Sequence, residues 1–185
     1  GLCKDKLPDA VIRVLSSVGI SMPGYVIASG LMILLAVNLK VLPVNYNKPG
    51  GWLMPMLTLA IYPTSYLTRL TRASILEVMN QDYLRTERAK GMSEFVVVFI
   101  HALKNSLIPV ITYLGPLTAS ILTGGFVAES VFSVPGLGRY FVSSISSRDY
   151  TMIMGVTIFY SALIVFMNLI CDILYKIVDP RIQLD

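Results

Sequence analysis

The sequence predicts an all-α integral membrane protein, a bundle of four transmembrane helices with one short charged helix projecting into water. Three observations predict it. Of 185 residues 55% are hydrophobic and only 14% charged, with a mean hydropathy of +0.69; a soluble domain of this size needs more charge to cover its surface. The apolar residues are gathered into long runs without the period-two alternation of barrel strands. The cations behind the net charge of +4 lie between those runs, not on one basic face, which argues against a nucleic-acid binder.

The first span is expected from about Val18 to Leu39, with Pro23 and Gly24 near its start. The second runs from about Trp52 to Thr68 and carries Pro55 and Pro63. It is short and is expected to continue into water beyond Arg69. The third, from about Ser106 to Val127, contains Pro109, Pro116, Gly124 and Gly125, and small residues at Gly115, Ala119 and Thr123 suit close helix packing. The fourth runs from about Met152 to Ile177. A helix rising 1.5 Å per residue needs about 20 residues to cross the hydrocarbon, and lipid admits only helices or closed barrels. No internal repeat or low-complexity linker divides the chain, so residues 1–185 read as one integral domain. The chain lacks an initiator methionine and opens on charge, as a fragment would.

Lys4, Lys6, Arg13, Arg69, Arg72, Arg85, Arg88, Lys90, Lys104, Lys176 and Arg181 fall on one side of such a bundle. Only Lys40, Lys48, Arg139 and Arg148 fall on the other. The positive-inside bias therefore places both termini and the segment from Arg69 to Lys104 in the cytoplasm. Cys3 and Cys171 have no metal-binding or disulfide spacing, and no metal or cofactor site is expected. Asp172, one helical turn from Asn168 and Lys176, reads as a structural pair near the interface.

The region 80–105 is the most informative. Asp82 is a candidate cap, Tyr83 to Lys90 make about two helical turns, and Gly91 supplies a left-handed stop. Ser93 can cap the next helix, with Glu94 in its first turn and the apolar run Phe95 to Ile100 behind it. The result is a charged knob on an apolar base, suited to passing force from a soluble partner into a bundle.

The stretch Tyr83-Leu84-Arg85-Thr86-Glu87-Arg88-Ala89-Lys90-Gly91-Met92-Ser93, followed by His101-Ala102-Leu103-Lys104-Asn105-Ser106-Leu107-Ile108-Pro109, resembles the cytoplasmic signature loop of ABC-importer permeases. It is most similar to the dipeptide and oligopeptide branch, which includes nickel importers. The general loop has Glu-Ala-Ala, then glycine, then Leu-Pro. Here Arg85-Thr86-Glu87 replaces the first element, Gly91 and Leu103 match, and Lys104 stands at the proline. Leu67 to Ser74, Glu129 to Arg139, Arg148-Asp149-Tyr150 and Asp179-Pro180-Arg181-Ile182 extend the resemblance.

The resemblance implies six spans, of which this chain would supply the last four, being incomplete at its N-terminus. It implies a bacterial inner-membrane permease that forms the pathway for peptides. The expected partners are a second permease subunit, two cytoplasmic ATPase subunits, an extracytoplasmic substrate-binding protein and membrane lipid. ATP would be used by the ATPase, since this chain has no phosphate-cradling G-x-x-x-x-G-K-[ST] loop and is not expected to be an enzyme. Tyr83, Leu84, Arg85, Thr86, Glu87, Arg88, Ala89, Lys90 and Gly91 would form the coupling helix, with Glu87 and Arg88 in polar contacts. Glu129, Pro135, Gly136 and Arg139 are candidates for a partly re-entrant external gate or pathway element. The substrate stays open among dipeptides, longer peptides, glutathione-like molecules and chelated nickel. A secondary transporter is the rival reading, disfavoured because the first three spans carry no acidic residue. An intramembrane enzyme lacks an H-E-x-x-H motif, and the single histidine, His101, has no evident catalytic partner.

Overall fold

The structure, a computed structural model, describes residues 7–122 and 125–178, apart from the side chains of 119, 122, 172 and 174–178. Lys4, Lys6, Thr123, Gly124 and Arg181 lie outside the described residues, as do the side chains of Ala119, Asp172 and Lys176, so the readings placed on them go no further. Within the described residues every regular element is a helix. In order these are α1 (Leu7–Ser21), α2 (Gly24–Leu31), α3 (Leu53–Met79), α4 (Asp82–Ala89), α5 (Glu94–Val96), α6 (Leu103–Ser106), α7 (Ile108–Leu122), α8 (Phe126–Val131), α9 (Leu137–Ser147) and α10 (Tyr150–Val178). Wide π-type turns extend α2 through Met32–Asn38 and join α5 to α6 through Val97–Ala102.

The expected first span is interrupted. Pro23 has φ −59° and ψ 142°, extended backbone that stands outside the helix, so α1 ends at Ser21 and α2 begins at Gly24. A proline has no N–H for the preceding turn and drives the residue before it out of the helical region, which explains the break. The next expected span is one helix of 27 residues, with Pro63 inside it. The third begins earlier than expected, because α5 to α7 read as a single stretch. Among the described residues two stretches are long and apolar enough to cross a bilayer, Glu94–Thr118 and Tyr150–Cys171; α1 and Gly24–Asn38 qualify only as a broken pair. Two spans, or three with that pair, therefore stand on length and composition, against the four expected. On α10, Val165 and Phe166 are 68% and 58% exposed, part of an apolar face that suits lipid or neighbouring helices.

The chain divides into two compact units, Gly1–Gly19 with Thr64–Leu114, and Ile20–Pro63 with Gly115–Asp185. In the second, α8 packs on α2 and α9, and α9 on α10. Ala28, Met54, Ala128 and Phe132 form its buried cluster, and Phe126 meets Tyr160 edge-on at 5.2 Å. Asp149 Oδ1 accepts the Met152 N–H at 3.0 Å and so caps α10.

In the first unit Val78, Leu84, Val97 and Ala102 are the buried cluster. Ser74 Oγ donates to the Ser106 carbonyl at 2.8 Å, and Tyr66 stacks on Tyr113 at 4.3 Å. The strongest polar contact joins α1 to α3. Arg72 Nε and Nη2 donate to Asp9 Oδ1 and Oδ2, each at 2.7 Å, and the Asp9 side chain is only 9% exposed. A two-pronged arginine–carboxylate pair is among the stronger side-chain contacts, and removing one partner strands a buried charge.

Arg72→Met is expected to destabilise the assembled protein by about 3 kcal/mol. The double substitution Asp9→Asn with Arg72→Met should recover at least half of that. Chemical unfolding in lipid bicelles measures both, and equal losses in single and double variants would show that the stranded charge is not the cause.

Candidate functional site

The charged knob of the sequence is present in the first unit as α4. Gln81, with φ −77° and ψ 146°, is the last extended residue, so Asp82 is already the first helical residue. The helix thus starts without a side-chain cap, and the capping expected of Asp82 is replaced by a contact with Arg85 at 3.6 Å, i to i+3. Its negative charge still sits in the first turn, where it complements the positive end of the helix dipole. The expected stop is in place: Gly91 has φ +80°, and its N–H donates to the Arg88 carbonyl at 3.0 Å. Nothing lies within 4 Å of where a Cβ would stand at this glycine, so only the backbone conformation constrains it. Ser93 Oγ accepts the Val96 N–H at 3.5 Å, capping α5 as expected.

The faces of α4 differ in chemistry. Leu84 is wholly buried against Val78, Val97 and Ala102. Tyr83 Oη accepts from Asn105 Nδ2 at 2.8 Å. Arg88 Nε donates to Glu94 Oε1 at 2.8 Å, tying the end of α4 to the start of α5. Glu87, whose side chain is 18% exposed, meets Lys90 at 3.7 Å, while its Oε2 is buried without a hydrogen bond among the described residues. Glu87 and Arg88 thus each have an ion-pair partner within the chain. Asp82, Arg85, Thr86 and Ala89 are exposed at i, i+3, i+4 and i+7, a single stripe, with Lys90 and Gly91 exposed beyond it. The side chains of Asp82 and Arg85 are 95% and 75% exposed. Of the apolar run behind the knob, Val97 is wholly buried but Phe95, Phe99 and Ile100 point outward.

The second candidate set lies in the second unit, where α8 and α9 are joined by a tight turn. Ser133 has φ +54°, and the Val134 N–H donates back to the Glu129 carbonyl at 3.0 Å. Glu129 Oε2 accepts the backbone N–H of Arg139 at 3.2 Å, in the first turn of α9. A carboxylate there satisfies an orphan amide and favours the helix dipole. Arg139 Nη1 donates to the Ser133 carbonyl at 3.3 Å. A side chain at Gly136 would collide with the Glu129 carboxylate, and a Cβ at Gly138 would lie 2.7 Å from Phe126 Cδ1 and 2.9 Å from Phe126 Cα. Glu129, Gly136 and Arg139 are therefore one locked turn. Pro135 sits within it, exposed.

A family model described as "Binding-protein-dependent transport system inner membrane component" matches residues 2–184. The chain belongs to this family. Among its relatives, the dipeptide transport system permease protein DppB of Bacillus subtilis is 48% identical over 92% of this chain and 56% of its own length. The DppB of Lactococcus lactis is 41% identical over 98% of the chain and 60% of its own length. The oligopeptide transport system permease protein OppB of Haemophilus influenzae is 38% identical over 95% and 58%. The chain thus spans somewhat over half the length of these curated relatives. Membership in this family of membrane components is in keeping with the helical, apolar architecture of the chain.

Sequence reasoning missed the Arg72–Asp9 pair and the Tyr83–Asn105 bond, which join residues 63 and 22 positions apart and leave no local pattern. It also passed over Asp149, although an aspartate directly before an apolar run is a legible cap signal.

Leu84→Ala should cost about 2–4 kcal/mol and raise amide exchange across residues 82–91, read by hydrogen–deuterium exchange. Gly138→Ala should cost about 1–3 kcal/mol through overpacking against Phe126, read as lowered thermal stability of the purified protein.

Proposed function

We propose that the protein is the permease subunit of an ATP-driven importer of peptides, and that α4 is the contact through which separate ATPase subunits move its helices. Family membership and the names of the relatives, dipeptide and oligopeptide permeases, support the transport class and favour peptides over chelated nickel. On this reading the chain supplies four spans of a longer bundle, with both termini and residues 80–105 in the cytoplasm of a bacterium. It pairs with a second permease subunit and receives substrate from an extracytoplasmic binding protein. ATP binds and is hydrolysed on the ATPase partners.

One observation carries the assignment of α4: its inner face is fastened while its outer face is bare. Leu84 is fully buried and Arg88 is braced on Glu94, so an outside push on α4 is passed to α5 and onward rather than absorbed. The stripe of Asp82, Arg85, Thr86 and Ala89 is the docking face, and Glu87 and Arg88 shape the knob from behind. The Glu129–Arg139 turn acts as a stiff cap at the external end of the pathway.

In the intact transporter, Gly91→Glu should lower peptide uptake and substrate-stimulated ATP hydrolysis together by about tenfold. An L-residue in the left-handed region costs about 1–2 kcal/mol, enough to displace the end of α4. Near-normal uptake by a correctly assembled variant, or failure of a cross-linker at position 85 to reach an ATPase subunit, would refute the assignment.

A further inference from the structure

Helix α1 is built the opposite way to a helix in water. Its buried positions, Asp9, Ser16 and Gly19, are polar or small. Leu7, Val11, Val14 and Val18 recur every three or four residues along one stripe and are 83%, 55%, 62% and 49% exposed. Apart from Arg13 and Ser17, which are exposed, polar or small residues turn inward and aliphatic ones outward, as suits a lipid surround.

Between α1 and α3, within the first unit, lies a cavity of about 300 Å³ bordered by Arg13, Ser16, Ser17, Thr68, Arg69 and Arg72. No acidic residue lines it. Arg72 is engaged with Asp9, whereas among the described residues neither Arg13 nor Arg69 has a carboxylate partner. The Ser16 and Thr68 hydroxyls donate to the carbonyls of Ile12 and Thr64, one turn back on their own helices. The cavity therefore offers two guanidinium groups without a carboxylate partner among the described residues, and their planar forks suit a phosphate oxygen pair. A second cavity, of about 480 Å³, shares Ile12, Thr68 and Arg72 with the first and adds Leu67 and Ile75 as aliphatic walls, together with Thr64, Thr71 and Asp9, the last already paired with Arg72. Basic and aliphatic compartments thus adjoin at one edge of a membrane helix.

We propose that this cavity binds the phosphate of an anionic phospholipid, with Arg13 and Arg69 as its ligands and the second cavity receiving the glycerol and first methylenes. A free phosphate would use the arginines alone. The aliphatic wall and the outward stripe of α1 select the lipid. The site is independent of the role given to α4.

The test is native mass spectrometry of the delipidated full transporter titrated with phosphatidylglycerol or phosphatidylcholine. The wild type should retain phosphatidylglycerol selectively, and Arg13→Gln with Arg69→Gln should weaken it about tenfold while leaving phosphatidylcholine unchanged. Unchanged phosphatidylcholine binding and unchanged subunit assembly in the glutamine pair exclude misfolding, and Arg13→Lys with Arg69→Lys, which keeps the charge but loses the fork, should recover only part of the selectivity. Undiminished phosphatidylglycerol binding in the glutamine pair, or equal weakening of both lipids, would overturn the site. Displacement of the lipid by inorganic phosphate alone would overturn the lipid assignment in favour of a free anion. Loss of an ATPase subunit from the glutamine pair with lipid binding intact would assign these arginines to a protein contact instead.

Discussion

A peptide group facing hydrocarbon has no solvent to bond, and this requirement governs the chain from end to end. Helix is the local solution, and the described residues take no other regular form. The same demand disposes of the hydroxyls: Thr58, Thr68, Thr71, Ser144 and Thr157 each return their proton to the carbonyl four residues earlier. The buried carboxylate of the first unit, Asp9, is held by a counter-charge, Arg72. At three helix starts a side chain takes up an exposed amide: Ser93 before α5, Glu129 at α9 and Asp149 at α10.

An eight-residue helix has little stability by itself, since nucleation consumes most of what so few hydrogen bonds supply. α4 persists because its neighbours hold it at three different points and by three kinds of force. Leu84 is held by packing, Tyr83 by a neutral hydrogen bond to Asn105, and Arg88 by an ion pair with Glu94. The exposed pairs Arg85–Asp82 and Lys90–Glu87, at 3.6 and 3.7 Å, add little, because such contacts lose most of their strength to water and salt. A rigid inner face and a free outer one follow from the sequence order of apolar and polar residues within just two turns.

Much of this was legible from the residues alone. The membrane class, the last span, the knob, the Gly91 stop and the Ser93 cap all depend on local pattern, and all are found in the structure. The Pro23 break was half legible: the proline was visible, but whether it would kink or end the helix depends on what packs around it. α3 carries Pro63 without ending, which makes the point. The inner contacts of Glu87 and Arg88 were hidden because facing is a property of the packed helix, and a charged residue at either angle looks the same in a sequence. Asp9 and Arg72 were harder still, since nothing in either neighbourhood announces a partner across the chain.

Two glycines show how one residue type answers two unlike demands. At position 91 the surroundings are empty and the torsion is the constraint, so the demand there is one of chirality. Asparagine, which enters that torsional region more readily than other side chains, is the natural substitute. At position 138 the torsion is unremarkable and the obstacle is the Phe126 ring and backbone, so the demand is one of volume and no side chain satisfies it. A survey of tolerated substitutions would therefore divide the two sites, admitting a few polar residues at the first and closing the second to all.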